Sequence, residues 1–205
     1  MSGCGSEIGI KNQEESRVLI ALLIINAVMF LVEVVLGVIS DSTALIADSF
    51  DMLADAMVYS IALYAVGRSA SSKIKAAHLS GITQVLLGLC VMFDVIRRLI
   101  WGSEPISVLM MSVGTVALIA NIYCLTLIAK HRKGEIHMRA SWIFSTNDVV
   151  ANIGIIASGI LIYTTGSRLP DLVIGFCIAL FVVYGGVTIL RESAMERKQL
   201  TDEEP

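Results

Sequence analysis

Apolar residues along this chain are grouped into six long runs separated by short polar segments. A membrane-spanning helix needs about 20 consecutive apolar residues, because each residue adds about 1.5 Å to a helix and the hydrocarbon core is about 30 Å thick. Six runs reach this length: residues 17–39, 43–66, 77–99, 106–129, 142–164 and 170–190. The pattern predicts an all-α integral membrane protein with six transmembrane helices.

The composition agrees with this pattern. Of the 205 residues, 56% are hydrophobic and 16% are charged, and the mean hydropathy is +0.79. These values lie far outside the range of soluble domains. We expect a cytoplasmic tail at residues 1–16, a six-helix membrane domain at 17–190 and a second cytoplasmic tail at 191–205. The first run is also too long for the apolar part of a cleaved signal peptide.

Lysine and arginine are distributed unevenly between the two sides of this arrangement. With a cytoplasmic N-terminus, twelve of them lie on the inner side and three on the outer side. Because positively charged loops stay in the cytoplasm, both termini are predicted to be cytoplasmic. On the outer side, Asp94 lies three and four residues before Arg97 and Arg98, a spacing that favours an ion pair. No nucleic-acid partner is expected.

The second run interrupts the apolar pattern with three acidic residues. Asp48, Asp51 and Asp55 are spaced at i, i+3 and i+7, so they fall on one narrow stripe of a helix. Each aspartate in the middle of a transmembrane helix costs about 2.5–3.5 kcal/mol. We therefore expect the stripe to face protein or water rather than lipid. Clustered carboxylates at this depth suit cation binding or proton transfer.

Two further runs carry buried acidic candidates. In the fifth run, Ser145 and Asn152 share a helix face with Asp148, and Asn147 lies about 100° away from that face. In the first run, Glu33 is either a structural carboxyl or a proton-coupling group, and both roles stay open. We expect Asp48 and Glu33 to support proton coupling.

Asp51 and Asp55 can converge with Asp148 near the middle of the membrane. Three ionised carboxylates in an empty site would repel one another, so we expect that site to hold protons. A divalent cation would have to displace them, which predicts metal–proton exchange. Oxygen ligands suit Zn²⁺, Co²⁺, Fe²⁺, Mn²⁺ or Cd²⁺, and the spacing does not choose among them. The metal is then the substrate, and no cofactor is expected.

Two segments resemble the cation diffusion facilitator family. The run SDSTALIADSFDMLADAMVYSIALYAVGRSAS is similar to the family's second helix, whose pattern is His or Asp, three residues, then Asp; Asp51 and Asp55 fall on those positions. HMRASWIFSTNDVVANIGII is similar to the fifth helix, with Asp148 on its metal-binding aspartate. The resemblance implies a metal/proton antiporter, not an enzyme, that exports a divalent cation, Zn²⁺ first, across a bacterial inner membrane.

The chain departs from the family pattern at two points. The family's fourth ligand, a His or Asp, precedes the fifth-helix aspartate by four residues, where this chain has Phe144, which cannot bind a metal. Ser145, Asn147, Asn152, Asp48 or water are the candidates for completing the site, and Asn147 and Asn152 are favoured. The chain ends soon after the sixth helix, so the resemblance implies a short form without the family's cytoplasmic metal-binding domain. A homodimer is left open.

Three other functions stay open. The chain could carry another solute in exchange for protons. Phe144 and the expected lack of a cytoplasmic domain also fit a partner subunit that does not transport and joins a complete family member. An intramembrane aspartyl hydrolase, in which two aspartates share a proton, is the least favoured, because no glycine-flanked aspartate motif is present.

Overall fold

The computed structural model of the protein describes the backbone of residues 3–65, 70–129 and 136–203, and the side chains of residues 16–61, 63–64, 74–129 and 146–198. This part of the chain forms six α-helices and no strand. They are α1 (Gly3–Ile39), α2 (Thr43–Ala65), α3 (Ala70–Trp101), α4 (Ser107–Ala129), α5 (Ile136–Thr165) and α6 (Leu169–Glu203). The all-helical prediction is confirmed, and α1 and α6 continue well beyond their apolar runs into the segments expected to be tails.

Five of these helices, all except α2, are long and apolar enough to cross a membrane within their described residues. The chain is therefore a multi-pass membrane protein. Helix α2 has 23 residues, which is sufficient length, but its three aspartates give it more charge than an apolar span contains. The sixth span stays a prediction.

Helix α2 lies at the centre of the bundle and contacts each of the other five helices. This placement follows from its sequence, because a stripe of carboxyl groups needs protein around it where water is absent. Small residues permit the close packing, since Ala44, Ala47 and Ala54 are all buried. The bundle is thus arranged around the helix that is least compatible with lipid.

Helices α3 and α6 form a close pair beside α2. A Cβ atom added at Gly186 would lie 2.8 Å from the carbonyl oxygen of Gly81, and one added at Gly88 would lie within 3.1 Å of the carbonyl oxygen of Ala179. The two backbones therefore touch at glycine, as is common between transmembrane helices. Large apolar side chains such as Phe93 and Phe181 point outwards from this pair, as expected for a surface in contact with lipid.

The loops at residues 40–42, 102–106 and 166–168 lie at one end of the bundle, which we call the loop end. The N–H of Ile106 donates to the carbonyl oxygen of Ser40 over 2.8 Å, and the N–H of Glu104 donates to Oδ2 of Asp41 over 2.8 Å. The guanidinium of Arg98 binds both the carbonyl and the carboxylate of Asp41. The ion pair of Asp94 with Arg97 and Arg98 is confirmed at this end.

Candidate metal centre

The aspartates of α2 face the interior of the bundle. Asp48 and Asp55 are only 1% and 6% exposed, and Asp51 between them is partly buried. Helical periodicity explains the arrangement, because residues three, four and seven apart share one face. The prediction that this stripe faces protein or water rather than lipid is confirmed for the two buried residues, Asp48 and Asp55.

Asp148 on α5 joins the α2 stripe. Its side chain is buried, its Oδ2 atom has no hydrogen-bond partner, and its carboxyl group interacts electrostatically with those of Asp55, Asp51 and Asp48. We call these four residues the carboxylate cluster. A buried polar atom without a partner costs about 1–3 kcal/mol, so the cluster is a place where a bound cation or proton would be stabilised.

Glu33 on α1 extends the cluster on one side. It is fully buried beside Asp48 and interacts with it electrostatically. Carboxyl groups from α1, α2 and α5 therefore meet in one interior region. In a medium of low polarity they cannot all be ionised without a compensating positive charge.

The candidates for the fourth ligand occupy different environments. Asn152 is buried, donates from Nδ2 to the carbonyl oxygen of Asp148 over 2.8 Å, interacts with Asp48, and has no partner for its Oδ1 atom. Asn147 is exposed and does not join the cluster. The side chains of Phe144 and Ser145 lie outside the residues that the structure describes.

Two polar side chains next to the carboxylate cluster, Tyr59 and Cys124, were not predicted from the sequence. The hydroxyl of Tyr59 donates to Oδ2 of Asp55 over 3.1 Å, and its position four residues after Asp55 was the signal that could have identified it. Cys124 on α4 is buried near Asp148 and Asp55 and interacts with both. No sequence spacing relates Cys124 to these aspartates, because α4 meets α2 and α5 only in the folded bundle.

Among the described residues, no group of three or more His, Cys, Asp or Glu side chains already stands in an arrangement that could hold a metal ion. The cluster brings the predicted residues Asp48, Asp51, Asp55 and Asp148 into one region where their charges interact. Its chemistry is that of hard oxygen donors, which bind divalent cations when deprotonated.

Comparisons with known proteins agree with this chemistry. Residues 19–196 match the family model described as the cation efflux transmembrane domain. The zinc transporter ZitB of Pectobacterium atrosepticum is 30% identical over 198 residues, which cover 88% of this chain and 61% of that protein.

The names of two further relatives refer to more than one metal or to metal cations in general. The cadmium, cobalt and zinc/H(+)-K(+) antiporter of Bacillus velezensis is 25% identical, covering 85% of this chain and 60% of that protein. The metal cation efflux system protein CzcD of Cupriavidus metallidurans is 26% identical, covering 89% of this chain and 60% of that protein. The chain thus spans about three fifths of the length of the curated relatives it matches.

Proposed function

Because the chain belongs to the cation efflux family, we propose that it is a secondary transporter that exports a divalent transition-metal cation from the cytoplasm in exchange for protons. The observation that carries the proposal is the carboxylate cluster, in which four interacting carboxyl groups are held inside a membrane protein. Zn²⁺ is the first candidate, since ZitB is named a zinc transporter. Co²⁺ and Cd²⁺ follow from the name of the Bacillus velezensis relative, ahead of Fe²⁺ and Mn²⁺.

In this proposal Asp51, Asp55 and Asp148 hold the cation, and the positive charge of the ion draws their side chains together. The empty cluster keeps protons, because ionised carboxylates this close repel one another in a medium of low polarity. Binding of the metal releases those protons, and release of the metal restores them. Alternating access to the two sides then couples metal export to proton import.

Asn152 is the neutral oxygen that we assign to the fourth coordination position. Its Oδ1 atom is buried and without a partner beside Asp48, whereas Asn147 is exposed. Asp48 and Glu33 interact with each other next to the metal ligands and are assigned to proton coupling. Phe144, at the position where the family pattern has a ligand, is the reason to keep the partner-subunit function as the second candidate.

The proposed topology has six spans. Arg97, Arg98 and Arg168, the three basic residues predicted to lie outside, are all at or next to the loop end. The positive-inside rule then puts the loop end outside and both termini in the cytoplasm. Helix α2 crosses the bilayer enclosed by the other helices, which separate its aspartates from lipid. The membrane is proposed to be a bacterial inner membrane, as the bacterial relatives suggest.

The test is Zn²⁺ uptake into proteoliposomes with an imposed pH gradient. The wild-type chain is expected to accumulate Zn²⁺ and to move protons in the opposite direction. Asp51→Asn and Asp148→Asn keep the size of each side chain but remove its charge, and both should abolish exchange. Glu192→Gln, which changes an exposed carboxyl on α6, is the matched control and should transport normally.

Normal exchange by Asp51→Asn would refute the assignment of the site. A folded wild-type chain that moves no metal alone, but restores flux when combined with a complete family member, would support the partner-subunit function instead. Proton-dependent flux of a different solute, with no metal flux, would identify a carrier of that solute.

A further inference from the structure

Asp171 on α6 is fully buried, and its carboxylate caps the first turn of α2. The backbone N–H of Thr43 donates to Oδ2 over 2.7 Å, the N–H of Ala44 donates to Oδ1 over 3.1 Å, and the hydroxyl of Ser42 donates to Oδ1 over 2.6 Å. The Ser42 hydroxyl oxygen in turn accepts from the N–H of Leu45 over 3.2 Å. The N–H groups that a helix leaves without intrahelical partners are thus satisfied at these three positions.

This cap differs from the usual one because a distant segment supplies it. An N-terminal cap is ordinarily the side chain of the residue just before the helix, whereas Asp171 lies 128 positions from Thr43 in the sequence. Hydrogen bonds to a charged acceptor are stronger than neutral ones, and the start of a helix favours a negative charge. The start of α2 is therefore fastened to α6.

Two other sets of contacts hold the start of α2 in place. A Cβ atom added at Gly175, one turn beyond Asp171 on α6, would lie 2.9 Å from Cγ2 of Thr43 and 3.0 Å from the backbone N of Ala44. On the side of α3, Arg98 binds Asp41 just before α2 and interacts electrostatically with Asp171. The first turn of α2 is thus held by backbone contact with α6 and by the charged groups around it.

We propose that Asp171 is a positioning residue for transport, which fixes the depth and rotation of α2 and so of the aspartates that this helix carries. The inference rests on the proposed function. Asp48, Asp51 and Asp55 follow Thr43 by five, eight and twelve residues, which is about 8, 12 and 18 Å along the helix axis. A helix transmits a shift or rotation of its first turn to all three. A metal site requires its ligands within about 0.5 Å of the productive geometry. A small displacement of the capped first turn of α2 is therefore enough to weaken metal binding.

The test compares Zn²⁺ binding and transport by the full chain and by Asp171→Asn. The amide has nearly the same size as the carboxylate but one acceptor oxygen, so its NH₂ group must face at least one of the three donors. We expect the Kd for Zn²⁺ to rise about tenfold or more, as for other groups that hold metal ligands in place. The KM for transport should rise as well, and Asp171→Glu, which keeps the carboxylate, should recover part of the loss.

The matched control is Ser193→Ala. It removes the contact of 3.2 Å between Ser193 and His78, which joins α6 to α3 rather than to α2 and lies at the opposite end of α6. Its Kd for Zn²⁺ should equal that of the wild type. Amide hydrogen exchange at Thr43–Leu45 should be faster in Asp171→Asn and unchanged in the control. If Asp171→Asn does not fold, Ser42→Ala removes one link of the cap and should raise the Kd by about two- to tenfold.

The possible failures can be told apart. A wild-type Kd in Asp171→Asn, with faster exchange at the cap, overturns the positioning role alone. An equal loss of affinity in Ser193→Ala also overturns it, because general loosening of α6 would then explain both. A folded wild-type chain that binds none of Zn²⁺, Co²⁺, Cd²⁺, Fe²⁺ and Mn²⁺ overturns the proposed function and this inference together.

Discussion

Replacing Asp148 with asparagine should remove most of the stabilisation that a bound metal gives to the protein. The residue is 5% exposed, so solvent screens its charge very little. Removing one partner of a buried ionic interaction costs about 3–5 kcal/mol. At 1.4 kcal/mol for each tenfold change, the Kd for Zn²⁺ should rise by at least about 150-fold.

The thermodynamic linkage between binding and folding turns this loss into a measurable quantity. With free Zn²⁺ at 100 times the wild-type Kd, binding stabilises the folded state by about 2.7 kcal/mol. A Kd raised 150-fold leaves about 0.3 kcal/mol at the same metal concentration. Without metal, the free energy of unfolding should change by no more than about 1 kcal/mol, because the amide nearly matches the carboxyl in size.

The assay is unfolding of the purified protein in detergent, with and without Zn²⁺, for the wild type, Asp148→Asn and Glu192→Gln. The Glu192→Gln control should keep the full metal-dependent stabilisation, since its carboxyl is exposed. If Asp148→Asn keeps that stabilisation too, Asp148 does not hold the metal and the proposed site is wrong.

Two further predictions follow from the carboxylate cluster. Lowering the pH should weaken Zn²⁺ binding, because protons and metal compete for the same oxygens. The Kd for Zn²⁺ should rise about tenfold per pH unit for each proton released. Calorimetry that finds the same Kd at pH 6 and pH 8 would contradict the exchange mechanism. In a variant whose other cysteines, Cys4, Cys90 and Cys177, are serine, bound Zn²⁺ should slow the reaction of the buried Cys124 thiol with a small alkylating reagent. Adding Asp51→Asn should remove that protection, and a labelling rate that Zn²⁺ does not change would place the metal away from α4.

The helical class and the main candidate residues could be predicted from the sequence. Apolar runs of membrane-spanning length identified all six helices, and the spacing of Asp48, Asp51 and Asp55 predicted the face that they share. Helix ends were less predictable. Helices α1 and α6 extend to Gly3 and Glu203. The apolar runs did not predict these extensions, because a hydropathy pattern detects only the part of a helix that matches lipid.

The surroundings of the cluster could not be predicted in the same way. Asn147 and Asn152 were equal candidates in the sequence, yet one is exposed and the other buried. Periodicity gives the angle between two residues on a helix, but the packing of α5 against its neighbours decides which angle faces inward. The packing of α4 in the bundle likewise places Cys124 near Asp148 and Asp55. No pattern in the sequence around Cys124 indicates these contacts.

Length, hydropathy and helical period are local properties, and they were sufficient to predict a helical membrane protein with acidic residues along one face of its second apolar helix. The central position of α2, the place of Glu33 beside Asp48 and the cap that Asp171 forms on α2 became visible only in the folded bundle. These contacts join residues far apart in the chain. Their partners are selected by the packing of whole helices. Every buried carboxyl group and every N–H without an intrahelical partner needs a hydrogen bond or an opposite charge inside the bundle.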